Sequence, residues 1–231
     1  MIAKDSGPGR ARVVVIATGK GGAGKTTAAA CLAVYWARRK RKVALVDADP
    51  NQTLARWHAR GDVLKELPLT AEHSSDAVLP AIEALAAQGG VVVVDCAGFT
   101  SQAMLFAIGV ADLVLIPAMT DEANIFEAAR TMKLVQNAAT LTRRQIEARV
   151  LLCRVKRSAV ATHAREQMSV LGLPVMMAQL GDRVAFQEAS FFGTAPSVLQ
   201  PLGAASRDIT QVGEELDGLL WPRPALRGKG T

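Results

Sequence analysis

Val13-Val14-Val15-Ile16-Ala17-Thr18-Gly19-Lys20-Gly21-Gly22-Ala23-Gly24-Lys25-Thr26-Thr27 is the stretch that decides the architecture of this chain. An apolar run suited to a buried strand enters a glycine-rich turn, and an alanine-rich stretch suited to a helix follows it. From Gly19 the turn fits the pattern G-x-x-x-x-G-K-[ST], in which backbone N–H groups at a helix start surround phosphate oxygens and oppose their charge. The reading is a strand–loop–helix phosphate cradle formed by Gly21, Gly22, Ala23, Gly24, Lys25, Thr26 and Thr27. Its expected ligand is ATP or GTP.

Outward from this loop, apolar runs alternate with helical patterns. Strands are expected at 12–18, 43–47, 67–72, 91–95, 113–117 and 150–154, with a short one near Val175. Helices are expected up to residue 39 and over 54–60, 76–88, 101–109, 122–139, 160–171, 184–192 and 204–220. Alternation of this kind defines an α/β fold: a doubly wound, mainly parallel sheet flanked by helices. Gly89-Gly90 closes a helix, and the Lys/Arg cluster at 38–42 suits the negative end of the first helix. The expected organisation is a short extension at 1–11, one ATPase domain over 12–221 and a basic tail over 222–231.

With 231 residues, half of them hydrophobic (50%) and few aromatic (4%), the chain can build one large core of Val, Ala and Leu. Lys and Arg total 27 against 21 Asp and Glu, a net charge of +6, which points to polyanionic partners. Cys31, Cys96 and Cys153 are isolated in or beside apolar stretches, as buried free thiols in a reducing compartment would be. His58, His73 and His163 lack metal-ligand spacing. No apolar leader precedes the first strand, and 103–119 falls short of the roughly 20 residues needed to cross a bilayer. A cytoplasmic protein is expected.

The chemistry follows from the charges on a triphosphate. Lys25 is placed to meet the β- and γ-phosphates, and the Thr26 hydroxyl to meet Mg²⁺. Val91-Val92-Val93-Val94-Asp95 is a buried strand ending in a carboxylate, so Asp95 is expected to hold the same ion. Asp47-Ala48-Asp49-Pro50 lies at the end of another strand, where open α/β sheets bind ligands. One of its carboxylates can hold a metal-bound water and the other can orient the attacking water.

Lys20 is not required by a generic phosphate loop, and here a family likeness enters. Lys20-Gly21-Gly22-Ala23-Gly24-Lys25-Thr26-Thr27 resembles the deviant Walker A motif of the ParA/MinD ATPases, with the short plasmid-type ParA and VirC-type proteins most similar. The likeness continues through Asp47-Ala48-Asp49-Pro50, where Asn51 replaces the usual glutamine, through Leu54-Ala55-Arg56-Trp57 and Asp95-Cys96-Ala97-Gly98, and into 182–189. It implies ATP and Mg²⁺ as cofactors, metal contacts by Thr26, Asp47 and Asp95, catalytic roles for Lys20, Lys25 and Asp49, and an ATP-dependent homodimer in which Lys20 reaches the partner's phosphates. It also implies binding of nonspecific double-stranded DNA, release by adaptor-stimulated hydrolysis, a ParB-like or other cargo adaptor, and a nucleoid-associated place in plasmid partition or cargo positioning. Arg154, Lys156, Arg157, Arg183 and Arg207 are the principal candidates for DNA contact, with Arg143, Arg144, Arg149 and Arg165 beside them. Because the first strand begins near residue 12, no operator-reading helix-turn-helix is expected ahead of it. The alternative is a membrane-associated, MinD-like spatial regulator, against which Pro222 and Pro224 interrupt the basic-apolar stretch that would have to form an amphipathic helix.

Overall fold

A computed structural model describes residues 10–156 and 158–222. Most of the 1–11 extension, Arg157 and nearly all of the 222–231 tail therefore lie outside the described residues. In chain order the elements are β1 (Arg12–Ile16), α1 (Lys25–Arg38), β2 (Val43–Ala48), α2 (Thr53–Arg60), β3 (Leu69–Ala71), α3 (Ser75–Ala86), β4 (Val91–Cys96), α4 (Gln102–Val110), β5 (Leu113–Ala118), α5 (Glu122–Thr142), β6 (Glu147–Leu152), α6 (Ala159–Val170), α7 (Val184–Phe192), α8 (Pro196–Leu199) and α9 (Ala204–Leu220).

The strands form one sheet in the order β3-β2-β4-β1-β5-β6, and every pairing is parallel. Side-chain alternation divides the packing into two layers. Val13, Val15, Val92 and Val94 pack toward α3, α4 and α5, while Val14, Ile16, Val91 and Val93 pack toward α1 and α9. The central strands are apolar on both faces because both are covered by helices. α1 is buried almost along its whole length, from Ala28 to Trp36. Its alanines let it lie close to the sheet, and Trp36 turns its indole N–H to the Asp217 carboxylate of α9 at 2.8 Å.

Three local differences from the sequence expectation have physical causes. β6 starts at Glu147, earlier than residue 150, because it is an edge strand on which Glu147 and Arg149 keep partial exposure. Near Val175 the chain forms isolated bridges, Val150 to Val175 and Val155 to Gly181, in place of a strand. Pro174, with no N–H to donate, keeps that ladder from extending. α8 is not anticipated from the sequence, since four residues carry no period; Pro196 at its first turn is its only signal.

The C-terminal ends of α2 and α7 meet at two glycines. A Cβ on Gly61 would collide with the Gly193 carbonyl oxygen, and Gly193 itself has φ +62. Gly61→Ala is expected to lower stability by about 1–3 kcal/mol, as overpacking against an unyielding backbone does. Urea unfolding midpoints measure it; an unchanged midpoint would show that the two segments separate freely.

Candidate functional site

The chain leaves β1 by way of α1 toward β2, whereas α4 leads from β4 across to β5. A crevice opens at the C-terminal ends of β1 and β4, where the two connections diverge. The glycine-rich loop fills one side of it. Gly22 (φ +77) and Gly24 (φ +101) adopt left-handed backbone, which turns successive N–H groups inward. Gly24 is the N-cap of α1, and no side chain caps that end or places an acid in its first turn. The first amides of α1 are therefore left for an anion, which the helix dipole also favours. Ala23 is fully buried, which anchors the loop from beneath.

Lys25 is buried, and its ammonium donates to the Lys20 carbonyl at 2.9 Å. Desolvation lowers its pKa, opposed by the nearby charges of Asp95 and Asp49. Lys20 stands half-buried at the loop's outer side, and Gly21 and Gly22 are exposed. Across the crevice, Gly98 lies against the loop: a Cβ there would sit 3.0 Å from Gly21 Cα and 3.4 Å from Lys25 Nζ. Its glycine is needed for this close approach more than for an unusual turn.

Asp95 is completely buried at the end of β4, beside Asp47 in the sheet register. Neither of its carboxylate oxygens has a hydrogen-bond partner. Burial raises its pKa to about 8, with the Lys25 charge drawing it back down and Asp47 adding repulsion. An unpartnered carboxylate beside a threonine hydroxyl and a phosphate cradle is an oxygen-donor set that fits Mg²⁺, which keeps water and phosphate oxygens as its remaining ligands. No group of three or more His, Cys, Asp or Glu side chains suited to a metal occurs among the described residues, so a site needing a dense protein cage does not fit.

Asp47 is used differently. Its Oδ1 accepts the Asp49 N–H at 3.2 Å and its Oδ2 the Ala55 N–H at 2.9 Å, so it ties the loop after β2 to the start of α2. Asp49, almost buried, accepts the Asn51 N–H at 2.8 Å and faces the Lys25 and Asp95 charges. Asn51 thus contributes its backbone to holding Asp49, and its carbonyl accepts from the Arg56 guanidinium.

The basic candidates separate into distinct roles. Arg183 binds Asp208 through two bonds, Nε to Oδ2 at 2.7 Å and Nη2 to Oδ1 at 3.0 Å, and this pairing raises its pKa. Asp208 also accepts the Gly181 N–H, so the pair fastens the loop before α7 to α9. Arg165 is directed to the carbonyls of Met176 and Met177, Arg144 to Asp112, and Arg149 to Glu147. Lys156 is largely exposed and 3.5 Å from Asp182, Arg207 bonds the Leu202 carbonyl, and Arg154 and Arg143 are exposed. Sequence reasoning misses Glu127, whose carboxylate lies where a side chain on Gly19 would be, and Cys153, whose sulfur lies against Gly24. Both come from elements distant in sequence and carry no motif.

This crevice and loop define a P-loop nucleotide-binding protein of the deviant Walker A type. The profile described as VirC1 protein matches residues 11–206. Over 184 residues the chain is 30% identical to Protein ParA of Rhizobium radiobacter, covering 78% of this chain and 83% of that protein. It is 31% identical over 215 residues to the maintenance of carboxysome distribution protein A of Gloeobacter kilaueensis, covering 89% and 94%. Among solved structures, the septum site-determining protein MinD of Pyrococcus horikoshii complexed with Mg-ADP superposes with a TM-score of 0.72 at 18% identity, covering 90% of this chain and 97% of that one. The chain belongs to the VirC1 family, within the ParA/MinD group of ATPases.

The raised Asp95 pKa has a defined sign. Folded Asp95 keeps its proton up to about pH 8, whereas the unfolded carboxyl loses it near pH 4. Its contribution to stability is therefore full below pH 4 and lost as pH rises through 8. In the nucleotide-free protein, Asp95→Asn is expected to gain on the order of a few kcal/mol relative to wild type at pH 8.5 and almost nothing at pH 4. Denaturant titrations at the two pH values check this; equal differences at both would contradict it.

Proposed function

We propose that this protein is a partition or positioning ATPase that forms an ATP-bound homodimer, associates with nonspecific double-stranded DNA and leaves it when an adaptor stimulates hydrolysis. The observation carrying this reading is the loop itself: Lys20 stands half-buried beside a cradle whose own cation, Lys25, already faces the crevice. A second lysine is redundant for one chain's phosphates and useful for a partner's. The 30% identity with Protein ParA and the net charge of +6 support the DNA assignment.

In this reading the amides at the start of α1 and the Lys25 ammonium oppose the phosphate charge. Thr26 and Asp95 hold Mg²⁺, with Asp47 contributing through the loop it fixes. A Mg²⁺ held there would supply positive charge against the phosphates. Asp49 orients the attacking water and accepts its proton. Lys20 extends across the dimer to the partner's γ-phosphate region. Arg154, Lys156, Arg157 and Arg207 supply phosphate contacts to DNA, while Arg183 fastens the loop before α7 to α9 through Asp208. The ATPase domain spans 12–221 with 1–11 and 222–231 as appendages, the adaptor is ParB-like or another cargo protein, and the protein works in the cytoplasm on the nucleoid. No helix among the described residues is long and apolar enough to cross a membrane.

Lys20→Ala is expected to bind ATP and to remain monomeric with a nonhydrolysable analogue, as read by light scattering; a variant that dimerises like wild type sinks the role in trans. Asp49→Ala is expected to keep ATP and duplex binding while losing about a hundredfold or more in turnover. Normal phosphate release from that variant would remove Asp49 from the chemistry. Sedimentation with anionic vesicles but not with duplex, each in ATP, would replace the DNA reading with the membrane one.

A further inference from the structure

The N-terminal ends of the strands carry a second feature. α1 has 14 residues, about 21 Å of helix at 1.5 Å per residue, and its far end opens on a groove of about 380 Å³. Arg10, Lys40, Arg41 and Lys42 line it together with Trp221, and no carboxylate is among the lining residues. Its floor is a close passage of two backbones. The Val91 N–H donates to the Lys42 carbonyl at 2.8 Å, and Gly90 (φ +93) has no room for a Cβ, which would strike the same carbonyl.

The cations are directed, not merely clustered. The Arg41 guanidinium lies 3.7 Å from the centroid of the Trp221 ring, with the Asp217 carboxylate at 4.0 Å behind it. Such stacking holds a guanidinium in place while leaving its edge N–H groups available. Lys40 takes the left-handed position just after the cap of α1, with φ 59. Glycine is the usual occupant there, since the conformation crowds a Cβ. A helix-end role accounts for Arg38 and Arg39, and Lys42 donates to the Gln88 carbonyl beyond the end of α3 at 2.8 Å, whereas Arg10 and Lys40 enter the groove without such a bond among the described residues.

We propose that this groove is a phosphodiester-binding site that takes the backbone of duplex DNA at the N-terminal ends of the strands, remote from the nucleotide. Four cations without a lining carboxylate recognise phosphate oxygens by charge and hydrogen bonding, with no demand on base sequence. An extended polyanion is favoured over a compact one because the cations reach the groove from separate segments, Arg10 ahead of β1 and Lys40 to Lys42 after α1. The proposal rests on the duplex-binding reading above and gives it a surface separate from Arg154, Lys156 and Arg207.

The test uses the full chain, a nonhydrolysable ATP analogue and a labelled duplex of arbitrary sequence, titrated by anisotropy over a range of salt. The combined variant Arg10→Gln, Lys40→Gln, Lys42→Gln is expected to bind at least about tenfold more weakly, with the log–log salt slope reduced by about 0.9 for each phosphate that is no longer neutralised. Lys40→Gly separates binding from folding: it should raise the Tm by relieving the left-handed residue and still weaken duplex binding. Wild-type affinity and slope in the combined variant would overturn the groove assignment alone, whereas failure of the wild-type protein to bind duplex at all would remove the DNA reading beneath it. Displacement of the duplex by millimolar inorganic phosphate at constant ionic strength would reassign the groove to a free anion. Loss in the variant of binding to phosphatidylserine vesicles, with duplex binding intact, would reassign it to lipid.

Discussion

Asp95 and Lys25 are buried beside one crevice, and neither is fully answered. The carboxylate has no hydrogen-bond partner, and the ammonium has only the Lys20 carbonyl. Burial favours the protonated Asp95, and a carboxyl with two empty oxygens and a helix start with uncapped amides both remain incomplete. A metal-bound triphosphate supplies cation to the first and anion to the second at once. The parallel sheet exists, in physical terms, to hold these complementary deficits a few ångströms apart: β4 ends in one and β1 leads into the other, on adjacent strands in register.

That constraint explains the shape of the neighbourhood. Asp47 cannot share Asp95's task freely, because both of its oxygens hold backbone amides that shape the turn into α2. Gly98 has no side chain because the glycine-rich loop occupies the space, and Glu127 closes over Gly19 from α5. Three segments far apart in sequence thus converge on one short loop. The packing of α1 against α9 through Trp36 and Asp217 keeps the loop's helix from shifting beneath it.

Much of this was legible in the residues. The valine runs of β1 and β4 and the alanines of α1 carry periodicity that survives any context, because both sheet faces are covered. The glycine-rich loop and the aspartates at strand ends were legible because their chemistry demands particular atoms. What escaped was tertiary. Nothing local in 38–42 reveals that Lys40 and Lys42 meet Arg10 and Trp221, since that meeting is made by the backbone passage at Gly90. Arg183 reads as a surface cation until Asp208, twenty-five positions on, is brought beside it. Cys153 reads as an ordinary buried thiol, and only the fold sets its sulfur against Gly24.

The contact between Gly61 and Gly193 has a mechanical meaning. Side chains between packed helices act as compliant spacers that can change rotamer and absorb small displacements. Here two main chains touch directly, and the Arg60 guanidinium reaches the Ser190 carbonyl beside them. α2 begins at the loop that carries Asp49, and α7 presents Val184, Phe191 and Phe192 to solvent. A joint of this kind leaves little room for α2 and α7 to slide past each other where their chains meet.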